Sequence, residues 1–163
     1  MFSPELLRDA EIMLQGLRAR NMTLTTVESC TGGLLSGLLT EIPGSSDIFH
    51  YGFITYADAA KRALVQVPEA LLTTYGAVSQ EVAQAMAQGA LLEAKADLSI
   101  AITGIAGPGG ARPGKPVGLV HIASARAGFS PLHAAQQFYG DRAAVRMQAI
   151  RSAIDMLMQQ LSR

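Results

Sequence analysis

Residues 23–39 read TLTTVESCTGGLLSGLL, and this stretch contains the transition that decides the fold. Thr23 to Val27 is β-branched and apolar, which predicts a buried strand. Gly32 and Gly33 allow a tight turn, and leucines at helical spacing follow from Leu34 to Leu39. The segment is therefore predicted as a strand, a turn and a helix, with the tetrapeptide ESCT at the junction.

The rest of the chain continues this alternation of strands and helices. Ser3, followed by Pro4, is predicted to cap the first helix, and Asp141 the last. Further strands are predicted at 49–56, 98–103, 117–123 and 133–138, and further helices at 57–65, after Pro68 and after Ser79. Strands that alternate with helices predict a sheet covered by helices on both faces.

Size and composition indicate a single globular domain over residues 1–163. The formal net charge is zero and 16% of the residues are charged, so no basic excess indicates a nucleic acid or a membrane surface as partner. No run approaches 18 uninterrupted apolar residues, so no membrane span is expected.

Cysteine and histidine usage predicts a cytoplasmic protein without a metal. Cys30 is the only cysteine, and the amino terminus has an acid and a proline where a signal peptide would carry a basic and an apolar region. His50, His121 and His133 are scattered without zinc-ligand spacing, and we assign them no role. No metal or other cofactor is expected.

Ser29 lies at the predicted junction of strand and helix, where a side chain is exposed at the rim of a sheet. A serine there can attack a carbonyl while the free N–H groups of the helix's first turn hold the oxyanion. These N–H groups belong to the stretch Cys30, Thr31, Gly32 and Gly33. The alternative is that Ser29 is only a helix cap, since ESCTGG is not a general hydrolase motif.

A nucleophilic serine needs a base, and no histidine is placed to serve. Lys61 is a candidate if burial or positive charge lowers its pKa towards neutrality, with Tyr56 as a proton relay or a residue that orients the nucleophile. The alternative is that Lys61 is a solvated surface residue. Cys30 is a rival nucleophile, favoured by the helix N-terminus, or else a small packing residue.

Two further features predict an anion site. The stretch from Thr103 to Gly110, TGIAGPGG, has repeated glycines after a strand, and its N–H groups can form a nest for phosphate; a plain connecting loop is the alternative. Arg142 follows the cap Asp141 and opposes the helix dipole, a conflict that an anionic ligand would resolve unless the cap and solvent suffice. Arg112 and Lys115 add positive charge to this loop.

Six blocks of sequence together resemble one family, the CinA carboxy-terminal domain, and occur in the same order along nearly the whole chain. The blocks are TVESCTGG at 26–33, YGFITYADAAK at 51–61, YGAVSQEVA at 75–83, TGIAGPGG at 103–110, KPVG at 115–118 and GDRAAVR at 140–146.

The resemblance implies a three-layer α/β/α sandwich with a mixed five-stranded sheet. It also implies an amidohydrolase that converts nicotinamide mononucleotide to nicotinic acid mononucleotide and ammonia, with Ser29 as nucleophile, Lys61 as base and Tyr56 nearby. The residues implied to bind substrate are Thr103, Gly104, Gly107, Gly109 and Arg142. Relatives suggest a homo-oligomer.

Two other functions remain open at this point. A nucleotide-binding module without catalysis would keep Arg142 and the glycine-rich loop but leave Lys61 protonated. An interaction protein of a competence or DNA-damage response is suggested by the family's name alone.

Overall fold

The computed structural model describes residues 2–163, which form one five-stranded sheet and six α-helices. The strands are β1 (Leu24–Glu28), β2 (Phe49–Ile54), β3 (Leu98–Gly104), β4 (Leu119–Arg126) and β5 (Leu132–Gln137). The helices are α1 (Pro4–Ala19), α2 (Leu34–Thr40), α3 (Asp58–Val65), α4 (Glu69–Tyr75), α5 (Gln80–Ala94) and α6 (Arg142–Leu161).

The sheet has the strand order β2-β1-β3-β4-β5. Strands β2, β1 and β3 are parallel, whereas β4 and β5 pair antiparallel with their neighbours. The sheet is therefore mixed, as predicted. Every residue of β1 is buried, because helices cover a central parallel strand on both faces.

Two apolar cores fill the space between the sheet and its helices. Helices α1, α2 and α6 pack on one face around residues such as Leu14, Leu38 and Ile150. Helices α3, α4 and α5 pack on the other face around Val65 and Met86. The predicted three-layer sandwich is thus confirmed.

The predicted helix caps are present. Ser3 Oγ accepts a hydrogen bond from the Leu6 N–H at 3.2 Å, and Asp141 Oδ1 accepts one from the Ala144 N–H at 2.8 Å. Both satisfy first-turn donors that the helix itself leaves unpaired. Within residues 2–163, no helix has the length and apolarity that a membrane crossing requires.

Strand β4 differs most from its predicted bounds of 117–123, since it begins at Leu119 and ends at Arg126. Gly118 stays outside the strand at φ +91°, where a Cβ would lie 2.0 Å from the Phe138 carbonyl oxygen. The far end is longer because Arg126 pairs with Leu98 of β3. Both effects come from long-range pairing.

Candidate active site

Ser29 lies immediately beyond β1, at the edge where the parallel strands end. Its N–H donates to the Ile102 carbonyl of β3 at 2.9 Å, so the backbone of the nucleophile candidate is held by the sheet. The carboxyl edge of an open α/β sheet is where such folds place their ligands. Ser29 is neither a free surface serine nor an N-terminal cap, since no helix N–H donates to its hydroxyl in the described chain.

The Lys61 ammonium group lies beside this hydroxyl. The side chain extends from α3 and is only 1% exposed. Its Nζ is 3.4 Å from Ser29 Oγ, 3.0 Å from the Thr55 carbonyl oxygen and 3.5 Å from Asp58 Oδ1. An ammonium can donate to all three oxygens. After losing a proton, the neutral amine can still donate to the carbonyl and the carboxylate while its lone pair faces the serine hydroxyl.

Burial lowers the pKa of Lys61 from its ordinary value of 10.5. The cause is desolvation, which penalises the charged form. Asp58 acts in the opposite direction, since its carboxylate stabilises the ammonium. Asp58 is more than half exposed, so solvent screens part of that attraction. The solvated surface lysine considered from the sequence is excluded by the burial.

The turn after Ser29 differs from the prediction in its free N–H groups. The Gly32 N–H donates to the Ser29 carbonyl at 3.0 Å, and the Gly33 N–H donates to Glu28 Oε2 at 3.1 Å. Gly32 and Gly33 are therefore not free to hold an oxyanion. Within residues 2–163, the N–H groups of Cys30 and Thr31 donate to no carbonyl or side chain of another residue, but Thr31 is fully buried and does not line the cleft. The Cys30 N–H is therefore the candidate beside Ser29.

The Cys30 thiol is a poor nucleophile in this setting. Its side chain is buried, and burial raises the pKa of the thiol to about 11, against the smaller opposing effects of its backbone N–H and of Arg142 and Arg146. The thiolate is the reactive form, and at neutral pH it is scarce at this pKa. Cys30 packs in the larger core, as the alternative interpretation has it.

Tyr56 and Arg142 meet across the mouth of the site. Arg142 donates from Nη2 to the Tyr56 hydroxyl at 2.8 Å and from Nη1 to the Gly107 carbonyl at 2.8 Å. The Tyr56 hydroxyl thus contacts Arg142, and it has no hydrogen bond to Ser29 or Lys61 in the described part of the chain. The proton relay remains a prediction that requires this contact to open.

The glycine-rich loop forms one wall of a cleft of about 270 Å³ above Ser29. Thr103 is 1% exposed, and its hydroxyl donates to the Ala77 carbonyl at 2.8 Å, which ties β3 to the opposite wall. In the described chain, four N–H groups of the loop have no acceptor, those of Ala106, Gly107, Gly109 and Gly110. The cleft is lined by the following site residues that were predicted from the sequence: Ser29, Cys30, Tyr56, Lys61, Thr103, Gly104, Gly107, Gly109 and Arg142.

A second cavity of about 300 Å³ adjoins the first and shares Asp58 with it. Arg112 and Lys115 line this cavity, and Lys115 Nζ donates to the Tyr75 carbonyl. The charges of Arg112 and Lys115 therefore lie beside the cleft, whereas that of Arg142 lies in it.

Sequence reasoning assigned no contact with the turn or with Lys61 to three charged residues around the site. Asp58 precedes Lys61 by three positions, a spacing that brings two side chains together on a helix. Glu28 and Arg146 contact the turn after Ser29 from opposite sides. Glu28 offered a signal, a carboxylate in a wholly buried strand, and Arg146 offered none beyond its like-charge spacing from Arg142.

Two of the three histidines form a pair away from the cleft. His121 Nδ1 and His133 Nε2 lie 3.0 Å apart on β4 and β5. Burial lowers the pKa of both rings, and at His121 the neighbouring ring adds to the effect. Among residues 2–163, no three His, Cys, Asp or Glu side chains converge as a set that could hold a metal ion.

Fold and site together define a three-layer α/β protein with a serine–lysine pair at the carboxyl edge of its sheet. Residues 8–161 match the family model described as the CinA C-terminal domain, and the chain belongs to that family.

Similar proteins are known in both sequence and structure. The nicotinamide-nucleotide amidohydrolase PncC of Escherichia coli is 46% identical over 160 residues, which cover 98% of this chain and 97% of that protein. A relative from Symbiobacterium thermophilum is 49% identical over 153 residues, but this chain spans only 36% of its length. The crystal structure of competence/damage inducible protein CihA from Agrobacterium tumefaciens superposes with a TM-score of 0.95 at 41% identity, covering 100% of this chain and 99% of that one.

Proposed function

We propose that this protein is an amidohydrolase that converts nicotinamide mononucleotide to nicotinic acid mononucleotide and ammonia. The observation that carries the proposal is the buried Lys61 Nζ at 3.4 Å from Ser29 Oγ. A lysine with a lowered pKa beside a serine is an activated nucleophile. The name of the Escherichia coli relative, which matches this chain over nearly its full length, supplies the substrate.

The first half of the reaction forms an ester on Ser29. Neutral Lys61 accepts the Ser29 hydroxyl proton while Oγ bonds to the carboxamide carbon, whose oxygen becomes an oxyanion. The N–H group of Cys30 holds that oxyanion. Protonated Lys61 then gives its proton to the amide nitrogen, the C–N bond breaks, and ammonia leaves.

The second half restores the enzyme by hydrolysis. Lys61, neutral again, accepts a proton from a water molecule whose oxygen bonds to the ester carbon. The carbon–Oγ bond then breaks, Ser29 regains its proton from Lys61, and the carboxylic acid is released. Overall one water is consumed and one ammonia is produced, which balances the reaction.

The substrate phosphate binds at the mouth of the cleft. Arg142 supplies the positive charge there, and the free N–H groups of Gly107 and Gly109 supply neutral donors. Arg142 is already oriented by the Gly107 carbonyl and by Tyr56, so it loses little conformational freedom on binding. Binding energy from this remote group orients the carboxamide against Ser29.

Ammonia release from nicotinamide mononucleotide tests the proposal. The wild-type protein should release ammonia, and Ser29→Ala and Lys61→Ala should each abolish it. Lys95→Ala serves as a matched control, because Lys95 is a lysine at the end of α5 and outside the cleft. Tight nucleotide binding without ammonia from the wild type would replace the amidase with a binding module.

The setting of the enzyme is also a proposal. We place it in the cytoplasm, consistent with a single buried, unpaired cysteine, and expect a homo-oligomer that binds no nucleic acid, consistent with zero net charge. Light scattering after size-exclusion chromatography tests the oligomer. Salt-dependent retention on DNA would contradict the last point.

A further inference from the structure

We propose that Glu28 and Arg146 are positioning residues that hold the turn after Ser29 and so aim the N–H group of Cys30 at the oxyanion. The inference rests on the proposed function, because it assigns a role in that reaction. Neither side chain hydrogen-bonds to Ser29 Oγ or Lys61 Nζ, so each acts through the turn alone.

Glu28 holds the turn from the side of α2. Its carboxylate accepts hydrogen bonds from the N–H groups of Gly33 at 3.1 Å, Leu35 at 3.1 Å and Ser36 at 2.8 Å. The Ser36 hydroxyl adds a fourth at 2.7 Å. Glu28 is fully buried, so these bonds compensate the cost of burying its carboxylate. The Leu34 N–H donates instead to the Thr31 carbonyl at 3.1 Å.

Arg146 holds the turn from the side of α6. Its Nη2 donates to the Thr31 carbonyl at 2.7 Å, across the layer between α6 and the end of β1. That carbonyl belongs to the peptide plane between Thr31 and Gly32, and the Gly32 N–H in turn donates to the Ser29 carbonyl. The Leu34 N–H also donates to the Thr31 carbonyl at 3.1 Å, so the guanidinium and the backbone together fix the orientation of this peptide plane.

Packing alone does not explain an arginine at this position. Arg146 Nε is buried, and within residues 2–163 it has no hydrogen-bond partner; the same holds for Thr31 Oγ1. An unsatisfied buried polar atom lowers stability, and natural sequences accept such a cost at functional sites. The favourable contact that Arg146 makes is the one to the turn that carries the oxyanion donor.

The hydrogen bonds of the turn explain which N–H donor is free. The Glu28 carboxylate accepts a hydrogen bond from the Gly33 N–H, and the Ser29 carbonyl accepts one from the Gly32 N–H. What remains next to the nucleophile is the N–H group of Cys30, which lines the cleft. A transition-state oxyanion requires donors that are fixed in advance, since a mobile donor loses most of its effect.

The test uses Arg146→Met and Glu28→Gln in the full chain, with Arg151→Met as matched control. Arg151 lies on the same helix but pairs with Asp9 at 2.8 Å, away from the turn. The amide of Glu28→Gln keeps the shape but replaces one acceptor oxygen with a donor that faces N–H groups. Arg146→Lys keeps a cation, and we expect it to restore part of the lost rate.

For nicotinamide mononucleotide we expect kcat to fall about 10²-fold in Arg146→Met and in Glu28→Gln. KM and the pH midpoint of the rate should stay at the wild-type values, because the phosphate site and Lys61 are untouched. A loss confined to KM, or kcat equal to that of Arg151→Met, would overturn the inference.

Amide hydrogen exchange keeps the inference separable from the proposed function. The Gly32 and Gly33 N–H groups should exchange faster in both variants, while the amides of α1 keep their protection. If the wild type releases no ammonia, the proposed function fails, and this exchange pattern then shows only that the two residues hold the turn. Unchanged exchange at Gly32 and Gly33 would overturn it whether or not the wild type is active.

Discussion

Gly89 provides a sharp test of the packing that carries Lys61, because local preference and tertiary contact predict opposite results for Gly89→Ala. Alanine in a helix interior is favoured over glycine by about 0.5–1 kcal/mol, which predicts a more stable protein. In the structure, however, a Cβ on Gly89 would lie 1.8 Å from the Val65 carbonyl oxygen of α3. Ordinary contact begins near 3.4 Å, so α3 and α5 must separate by about 1.6 Å.

The magnitude follows from that separation. Overpacking of a tight core costs about 3 kcal/mol at its upper range, which lowers Tm by about 6–12 °C for a chain of this length. Val65 lies one helical turn beyond Lys61, so the same shift moves Nζ away from Ser29 Oγ. A displacement of about 1 Å at a catalytic group can reduce kcat about 10²-fold.

The assay is thermal unfolding of Gly89→Ala beside Gly37→Ala, together with ammonia release. Gly37 is the matched control, because it lies within α2 and a Cβ there meets nothing within 4 Å. Gly37→Ala should be as stable as the wild type or up to about 1 kcal/mol more stable. A Gly89→Ala protein that gains stability and keeps full activity would refute the packing argument.

Three further predictions follow from the charges of the site. Cys30→Ala should keep wild-type ammonia release, because a thiol with a pKa of about 11 is protonated at neutral pH; a loss like that of Ser29→Ala would contradict this. Asp58→Asn removes the negative charge that raises the Lys61 pKa, so the acidic limb of the pH profile of kcat should move to lower pH. A shift of that limb to higher pH would contradict this role of Asp58. Lys61→Met should raise Tm at neutral pH. The pKa of Lys61 is lower in the folded protein than in the unfolded chain, so between the two pKa values the unfolded chain binds more protons. Wild-type stability therefore increases with pH, and the Tm advantage of Lys61→Met should shrink as pH rises towards 10.5. A Tm advantage that does not change with pH would count against a lowered Lys61 pKa.

The sequence predicted most of the fold because the relevant signals are local. The strand before Ser29, the caps Ser3 and Asp141, and the alternation of strands and helices depend on side chains a few residues apart. The bounds of β4 depended instead on its pairing with β3 and on the Gly118 contact with Phe138, which no local pattern records.

The site was less accessible to sequence reasoning than the fold. Ser29 and Lys61 are 32 positions apart, and local pattern left both with ordinary structural alternatives; the family resemblance joined them, and the coordinates place them in contact. The sequence could not show which N–H groups of the turn are free, because the Gly33 N–H donates to the buried Glu28 carboxylate. That contact depends on the direction of a side chain, which periodicity does not encode.

The most direct test of the central claim is intact-mass analysis of the protein quenched with acid during turnover of nicotinamide mononucleotide. The account predicts a covalent adduct equal in mass to the substrate less ammonia, located on the peptide that contains Ser29 and absent in Ser29→Ala and Lys61→Met. Ammonia release that continues in Ser29→Ala, or an adduct on any other residue, would contradict it.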